Sequence, residues 1–260
     1  MSATAPAGTG HPVVRDDAGA LCLEFADGAV QSRTTPAEPM RLLLEYTRLM
    51  MGFLLLHPAP TRIAMIGLGG GSLAKYCWSK LPEADVTAIE ISPEVIALRD
   101  VFGIPPDGGR FRVRCEDGAA FVRRDAASLD VLLVDGFDRQ GQPAQLCNAA
   151  FYDACRERLA AGGVLVVNLH SNEVLHDGCV ERIRQSFAGR IAVVRADESE
   201  NTVVFAGTDA RVPPTFGEVV ERLRALEAAH SVGLGDTGRK ILDCREAPRA
   251  RHRRPRRRSR

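Results

Sequence analysis

Short apolar runs recur through the middle of the chain at Ile63–Ile66, Val86–Ile89, Phe111–Val113, Val131–Val134 and Val164–Val167. Between them lie segments with helical spacing at Ser72–Lys80, Pro93–Val101, Gly118–Arg124 and Ala149–Ala160. Strand and helix in strict alternation predict parallel strands joined by right-handed crossovers, hence a doubly wound α/β sheet. A helix at Val174–Phe187 and strands at Ile191–Val194 and Thr202–Phe205 complete the predicted sheet, and Phe216–His230 has the pattern of one more amphipathic helix.

Ahead of this unit, Leu21-Cys-Leu-Glu-Phe and Ala29-Val-Gln31 predict a short hairpin turning at Asp27-Gly28. Met40 to Leu56 carries leucine, methionine and Phe53 with few breakers and predicts a largely buried helix ended by His57-Pro58-Ala59-Pro60. The expected organisation is a flexible arm over 1–20, a hairpin plus helix over 21–60, a Rossmann-like catalytic domain over 61–232 and a disordered arginine-rich tail over 233–260.

Composition narrows the class. With 260 residues and 45% hydrophobic content the chain can bury a large core. The longest apolar stretch, Leu49–Leu56, falls far short of the roughly 20 residues of a membrane span, and no signal-peptide pattern opens the chain, so a cytoplasmic location is expected. Seven scattered cysteines form no CxxC pair and no two histidines have ligand spacing; most cysteines read as reduced core thiols, and no metal is expected. Eight arginines crowd residues 249–260, and taking those eight from the net charge of +1 leaves −7 on the remainder. The tail reads as a solvated segment, with nonspecific contact to nucleic acid as its functional alternative, while the acidic body suits a cationic substrate.

The sharpest chemical signal is Ile63-Ala-Met-Ile-Gly67-Leu-Gly69-Gly70-Gly71-Ser72, a strand running into a glycine loop and a helix start, where backbone can approach a ligand and unpaired N–H groups point at it. About nineteen residues past Gly71 the second strand ends in Glu90, placed to accept from both ribose hydroxyls. Gly67-x-Gly69-x-Gly71 followed by Ser72 departs from the GxGxxG of nicotinamide binders and suits a sulfonium nucleoside. In Cys115-Glu116-Asp117-Gly118 the acid can accept from the adenine amino group, cap the next helix, or do both. The fourth strand delivers Asp135-Gly-Phe-Asp138 to the carboxyl edge of the sheet, where two carboxylates could orient an amine and take its proton as it attacks.

Gly67-Leu-Gly-Gly-Gly71, Ile89-Glu-Ile-Ser-Pro-Glu-Val-Ile96, Glu116-Asp-Gly-Ala-Ala-Phe121, Asp130-Val-Leu-Leu-Val-Asp-Gly-Phe-Asp138, Phe151-Tyr152 and Leu159-Ala-Ala-Gly-Gly-Val164 follow one another in the order and spacing of the spermidine synthase (polyamine aminopropyltransferase) family, which the chain resembles over roughly Asp27–Leu169. The resemblance implies a Rossmann-like sheet of the S-adenosylmethionine-dependent methyltransferase type with a short N-terminal β appendage. It implies transfer of an aminopropyl group from decarboxylated S-adenosylmethionine to an amine such as putrescine, with methylthioadenosine released. Glu90 and Ile91 would then hold the nucleoside with Gly67, Gly69 and Gly71; Asp117 and Gly118 would meet the adenine. Asp135 would accept the proton and Asp138 would grip the amine, with Gln31 beside the thioether and Tyr46 in the substrate region. A homodimer would be the corresponding assembly.

Gly70 stands where that family carries an aspartate for the cofactor's ammonium, which keeps S-adenosylmethionine-dependent methyl transfer open as a second reading. A noncatalytic nucleoside-binding relative is the third. Glu45 reads as a core or surface helix residue.

Overall fold

The structure is a computed structural model that describes residues 11–24, 30–124, 126–137, 141–171, 174–209 and 212–244. Seven strands form the central sheet: β4 (Arg62–Ile66), β5 (Asp85–Glu90), β6 (Phe111–Cys115), β7 (Leu129–Val134), β8 (Leu159–His170), β9 (Ile191–Arg195) and β10 (Asn201–Gly207), in the order β6-β5-β4-β7-β8-β10-β9. Strands β4 to β8 pair in parallel, whereas β10 runs antiparallel to both β8 and β9.

Successive residues of the inner strands point to opposite faces, and both faces are apolar because both are covered. Ile63, Met65, Val131, Leu133, Val164 and Val166 join one core with Met50, Phe53 and Leu73, while Ala64, Ile66, Leu132, Val134, Leu165 and Val167 join a second with Phe151 and Ile183. The helices that make this sandwich are α2 (Ser72–Lys80), α3 (Pro93–Ala97), α4 (Gly118–Arg123), α5 (Ala149–Arg158), α6 (His176–Ser186) and α7 (Phe216–Leu226). Caps mark several starts: the side chains of Ser92, Asp117 and Asn148 accept from the third residue onward, and Thr215 with Glu218 forms a full capping box. Helix α3 stops at Ala97 instead of reaching Val101, with turns continuing to Gly103.

Three expectations need correction. The arm assigned to residues 1–20 contains a strand, β1 (Val13–Asp17), which pairs with β2 (Ala20–Glu24); β2 pairs with β3 (Val30–Thr34), so the appendage is a three-stranded antiparallel sheet. The proposed turn at Asp27-Gly28 lies outside the described residues. The segment 40–56 is helical only from α1 (Glu45–Met50), which tightens into a buried 3₁₀ turn over Met51–Leu55. Finally, the segment 233–260 is not a tail throughout: α8 (Leu234–Asp243) buries Leu234, Thr237 and Ile241, and only residues 245–260 fall outside the description.

Five of the seven cysteines are buried. Among the described residues no helix is long and apolar enough to cross a membrane.

Candidate active site

Strand order reverses direction between β4 and β7, and the loops leaving the carboxyl ends of such neighbours diverge to open a crevice. Here the crevice is a cavity of about 680 Å³, bounded by the glycine loop, the ends of β5 and β7, α1 and the N-terminal sheet.

The two loops touch at its floor. Gly67 has φ +93°, and a Cβ there would lie 2.1 Å from the Asp135 carbonyl oxygen, so only glycine lets β4 and β7 end side by side. Its N–H donates to the Ile89 carbonyl at 2.8 Å, and the Asp135 N–H donates to that of Ile66 at 2.8 Å. Gly69 lines the cavity, but Gly71 does not: it caps α2 at φ +70° against Ile104.

Glu90 is anchored by backbone. Its two oxygens accept from the backbone N–H groups of Leu68 and Ser92, each at 2.9 Å, which fixes the carboxylate across the mouth of the glycine loop with lone pairs left for hydroxyls. Ile91 lines the cavity and is 45% exposed. Asp117 accepts from Ala120 N–H at 2.7 Å through one oxygen and so caps α4, and it lines the cavity with Gly118 next to it.

At the far end, Asp135 is enclosed by protein except toward the cavity. Burial pushes its carboxyl up to about 6, against the opposing hydrogen bonds from Asn168 and Tyr46. The Asn168 amide donates at 2.8 Å. The Tyr46 hydroxyl, which faces Asp135 and the Gln31 carbonyl at 3.5 Å, is itself pushed well up by burial and then by the carboxylate. Phe137 stacks edge-on against His170, ring centroids 4.7 Å apart, on the same wall. Asp138 lies outside the described residues.

Nine of the eleven residues singled out from the sequence therefore line one cavity: Gln31, Tyr46, Gly67, Gly69, Glu90, Ile91, Asp117, Gly118 and Asp135. Others escaped sequence reasoning. Asn168 and Asn201 sit within apolar strands and are buried, the kind of placement that demands a partner for each amide. Glu45 accepts from the N–H groups of Asp197 at 2.9 Å and Glu198 at 2.6 Å and from Lys240 at 3.3 Å, which holds its carboxyl below the ordinary range despite burial. At Gly70, a Cβ would lie 2.7 Å from Ser32 Oγ and 3.0 Å from the Phe102 ring, so Ser32 of β3 fills the space a side chain would need.

Residues 44–197 match the model of the spermine/spermidine synthase domain. A polyamine aminopropyltransferase of Neisseria meningitidis is 33% identical over 231 residues, covering 87% of this chain and 88% of the relative. Among solved structures, a probable spermidine synthase from Corynebacterium glutamicum superposes with TM-score 0.68 at 22% identity over 83% of each chain. Human methyltransferase-like protein 13, solved in complex with SAH, does so with TM-score 0.64 at 21% identity over 72% of this chain and 92% of that one. The fold is thus the methyltransferase-type Rossmann sheet, and the chain belongs to the spermine/spermidine synthase family.

Proposed function

We propose that the cavity moves an aminopropyl group from decarboxylated S-adenosylmethionine to an amine. The observation that carries this reading is the charge of the wall: Glu45, Glu90, Glu116, Asp117, Asp135 and Glu198 line it, and no lysine or arginine does among the described residues. Such a wall favours a sulfonium and an ammonium over an anionic ligand. It offers no cation to the carboxylate that distinguishes S-adenosylmethionine from its decarboxylated form.

In this reading the nucleoside lies along the glycine loop, its ribose hydroxyls on Glu90, its adenine beside Ile91 and Gly118 with the amino group on Asp117. The acceptor amine sits between Tyr46, Gln31 and Asp135, with Asp138 as a second grip. The amine lone pair attacks the aminopropyl methylene next to sulfur. The carbon–sulfur bond breaks toward sulfur, which leaves as the neutral thioether of methylthioadenosine, and the proton lost from nitrogen passes to the Asp135 carboxylate. A carboxyl near 6 is ionised at neutral pH yet basic enough to take that proton. Cytoplasmic location and a homodimer belong to the same proposal.

One observation favours methyl transfer instead. Gly70 places no carboxylate in the glycine loop, and Ser32 with Phe102 closes the space for one. Calorimetric titration with methylthioadenosine, decarboxylated S-adenosylmethionine and S-adenosylmethionine in parallel decides between them. Preference for the decarboxylated form, at least about tenfold, is expected from the acidic wall, where Lys240, Arg124 and Arg48 pair with Glu45, Glu116 and Glu198 but do not themselves line the cavity. Equal or tighter binding of S-adenosylmethionine selects methyl transfer, and no binding of any of the three removes the nucleoside assignment.

A further inference from the structure

A directed chain of hydrogen bonds reaches Asp135 along the cavity wall from the turn before β10. Ser199 Oγ donates to Asn201 Oδ1 at 2.8 Å, Asn201 Nδ2 donates to Asn168 Oδ1 at 3.0 Å, and Asn168 Nδ2 donates to Asp135 Oδ1 at 2.8 Å. Its direction is forced from one end. An ionised carboxylate only accepts, so Asn168 must present its NH₂ to Asp135; its carbonyl then faces Asn201 and requires a donor there. Asn168 is 1% and Asn201 6% exposed, so water is poorly placed to substitute for either partner. The chain is also anchored at its origin, because Glu45 holds the backbone of Asp197 and Glu198, and Lys240 bridges Glu45 at 3.3 Å and Asp197 at 2.8 Å.

We propose that Asn201 is a positioning residue for the proton acceptor: by locking the Asn168 amide in one orientation it fixes one oxygen of Asp135 and leaves the remaining accepting capacity of the carboxylate for the amine. The proposal rests on the aminopropyl-transfer reading for its kinetic consequence only. Among the described residues Tyr46 of α1 is the titratable side chain that reaches Asp135; Glu45, Glu90, Glu116, Asp117, His170 and Glu198 line the same cavity. Antiparallel β10 is what makes the arrangement available, since it pairs Asn201 with His170 and Val203 with Asn168, setting the two asparagines diagonally across the strands.

The test is Asn201→Asp, close to isosteric but unable to donate when ionised. Asn168 then turns its NH₂ toward the new carboxylate and its carbonyl toward Asp135, disfavouring the ionised base. Carbon-13 NMR titration of the Asp135 carboxyl, assigned by its loss in Asp135→Asn, is expected to move up by about one unit or more. The acid limb of kcat/KM is expected to follow, with kcat at pH 7 down about twofold for a one-unit shift and methylthioadenosine affinity held within about twofold. Ser199→Ala, which removes the donor at the start of the chain without placing a charge in the core, should shift both in the same direction by less. An unmoved carboxyl titration in either folded variant overturns the proposal, as does a loss of activity with proportional loss of nucleoside affinity. If wild type binds nucleoside but transfers no aminopropyl group while the titration still shifts, the function reading fails and the positioning role stands.

Discussion

The two ends of the cavity are built on different principles. The end proposed for the nucleoside is assembled from elements close in sequence and held by backbone: Glu90 is pinned by the N–H groups of Leu68 and Ser92, and Asp117 by that of Ala120. The end proposed for the amine gathers Tyr46, Asp135, Asn168 and Asn201 from four separate elements and holds them by side-chain hydrogen bonds. Local geometry secures the first even if the sheet shifts slightly; the second depends on α1, β7, β8 and β10 meeting correctly. Binding and chemistry should therefore be separable by mutation.

The largest separation is expected from Asp135→Asn, which should lower kcat by about 10²–10⁴ while methylthioadenosine affinity stays within about twofold, read by steady-state kinetics beside calorimetry. The same variant tests the cost of burying the base. Asp135 has a folded pKa above its ordinary value, so its ionisation opposes folding: the penalty is absent below about pH 4 and complete above about pH 6. Asp135→Asn should therefore be more stable than wild type at pH 8, by at most about 3 kcal/mol, and no more stable at pH 3.5, as thermal unfolding at the two pH values would show.

An intermediate effect is expected on the other side. Glu90→Gln sets an NH₂ against a backbone N–H that now donates to a carboxylate, so nucleoside affinity should fall about 10- to 100-fold with kcat at saturation nearly unchanged. A 10-fold drop in kcat at saturation would show that the ends are not separable. The smallest effect belongs to Asp117→Asn. Asparagine caps a helix as well as aspartate, so the unfolding midpoint should hold while nucleoside affinity falls severalfold.

This contrast also explains what could be read beforehand. Runs such as Val131–Val134, buried on both faces, announce central strands, and α2 follows the Ser72–Lys80 spacing because the glycine loop sets its start. The placement of Gly67, Glu90 and Asp117 on the cavity was legible because it follows from a strand ending in a loop. The strand Val13–Asp17 was not, since Val-Val-Arg-Asp-Asp shows no alternation and lies mostly exposed. Helix α8 was hidden by the arginine-rich composition following it, although Leu234 and Ile241 are buried. Asn201 and Glu45 carry no local signature: one is an amide inside an apolar strand, the other an acid on a helix, and each acquires its role only from a partner more than thirty residues away.

The meeting of Gly67 with the Asp135 carbonyl sets a rule for anyone grafting this chemistry onto another scaffold. The β4 loop and the β7 loop interlock at main-chain level, with no side chain between them to trim or enlarge. Neither loop is a portable module by itself. The smallest transferable piece is the crossed pair with both strands beneath it, and a library that varies one loop must keep the other's backbone as a fixed template.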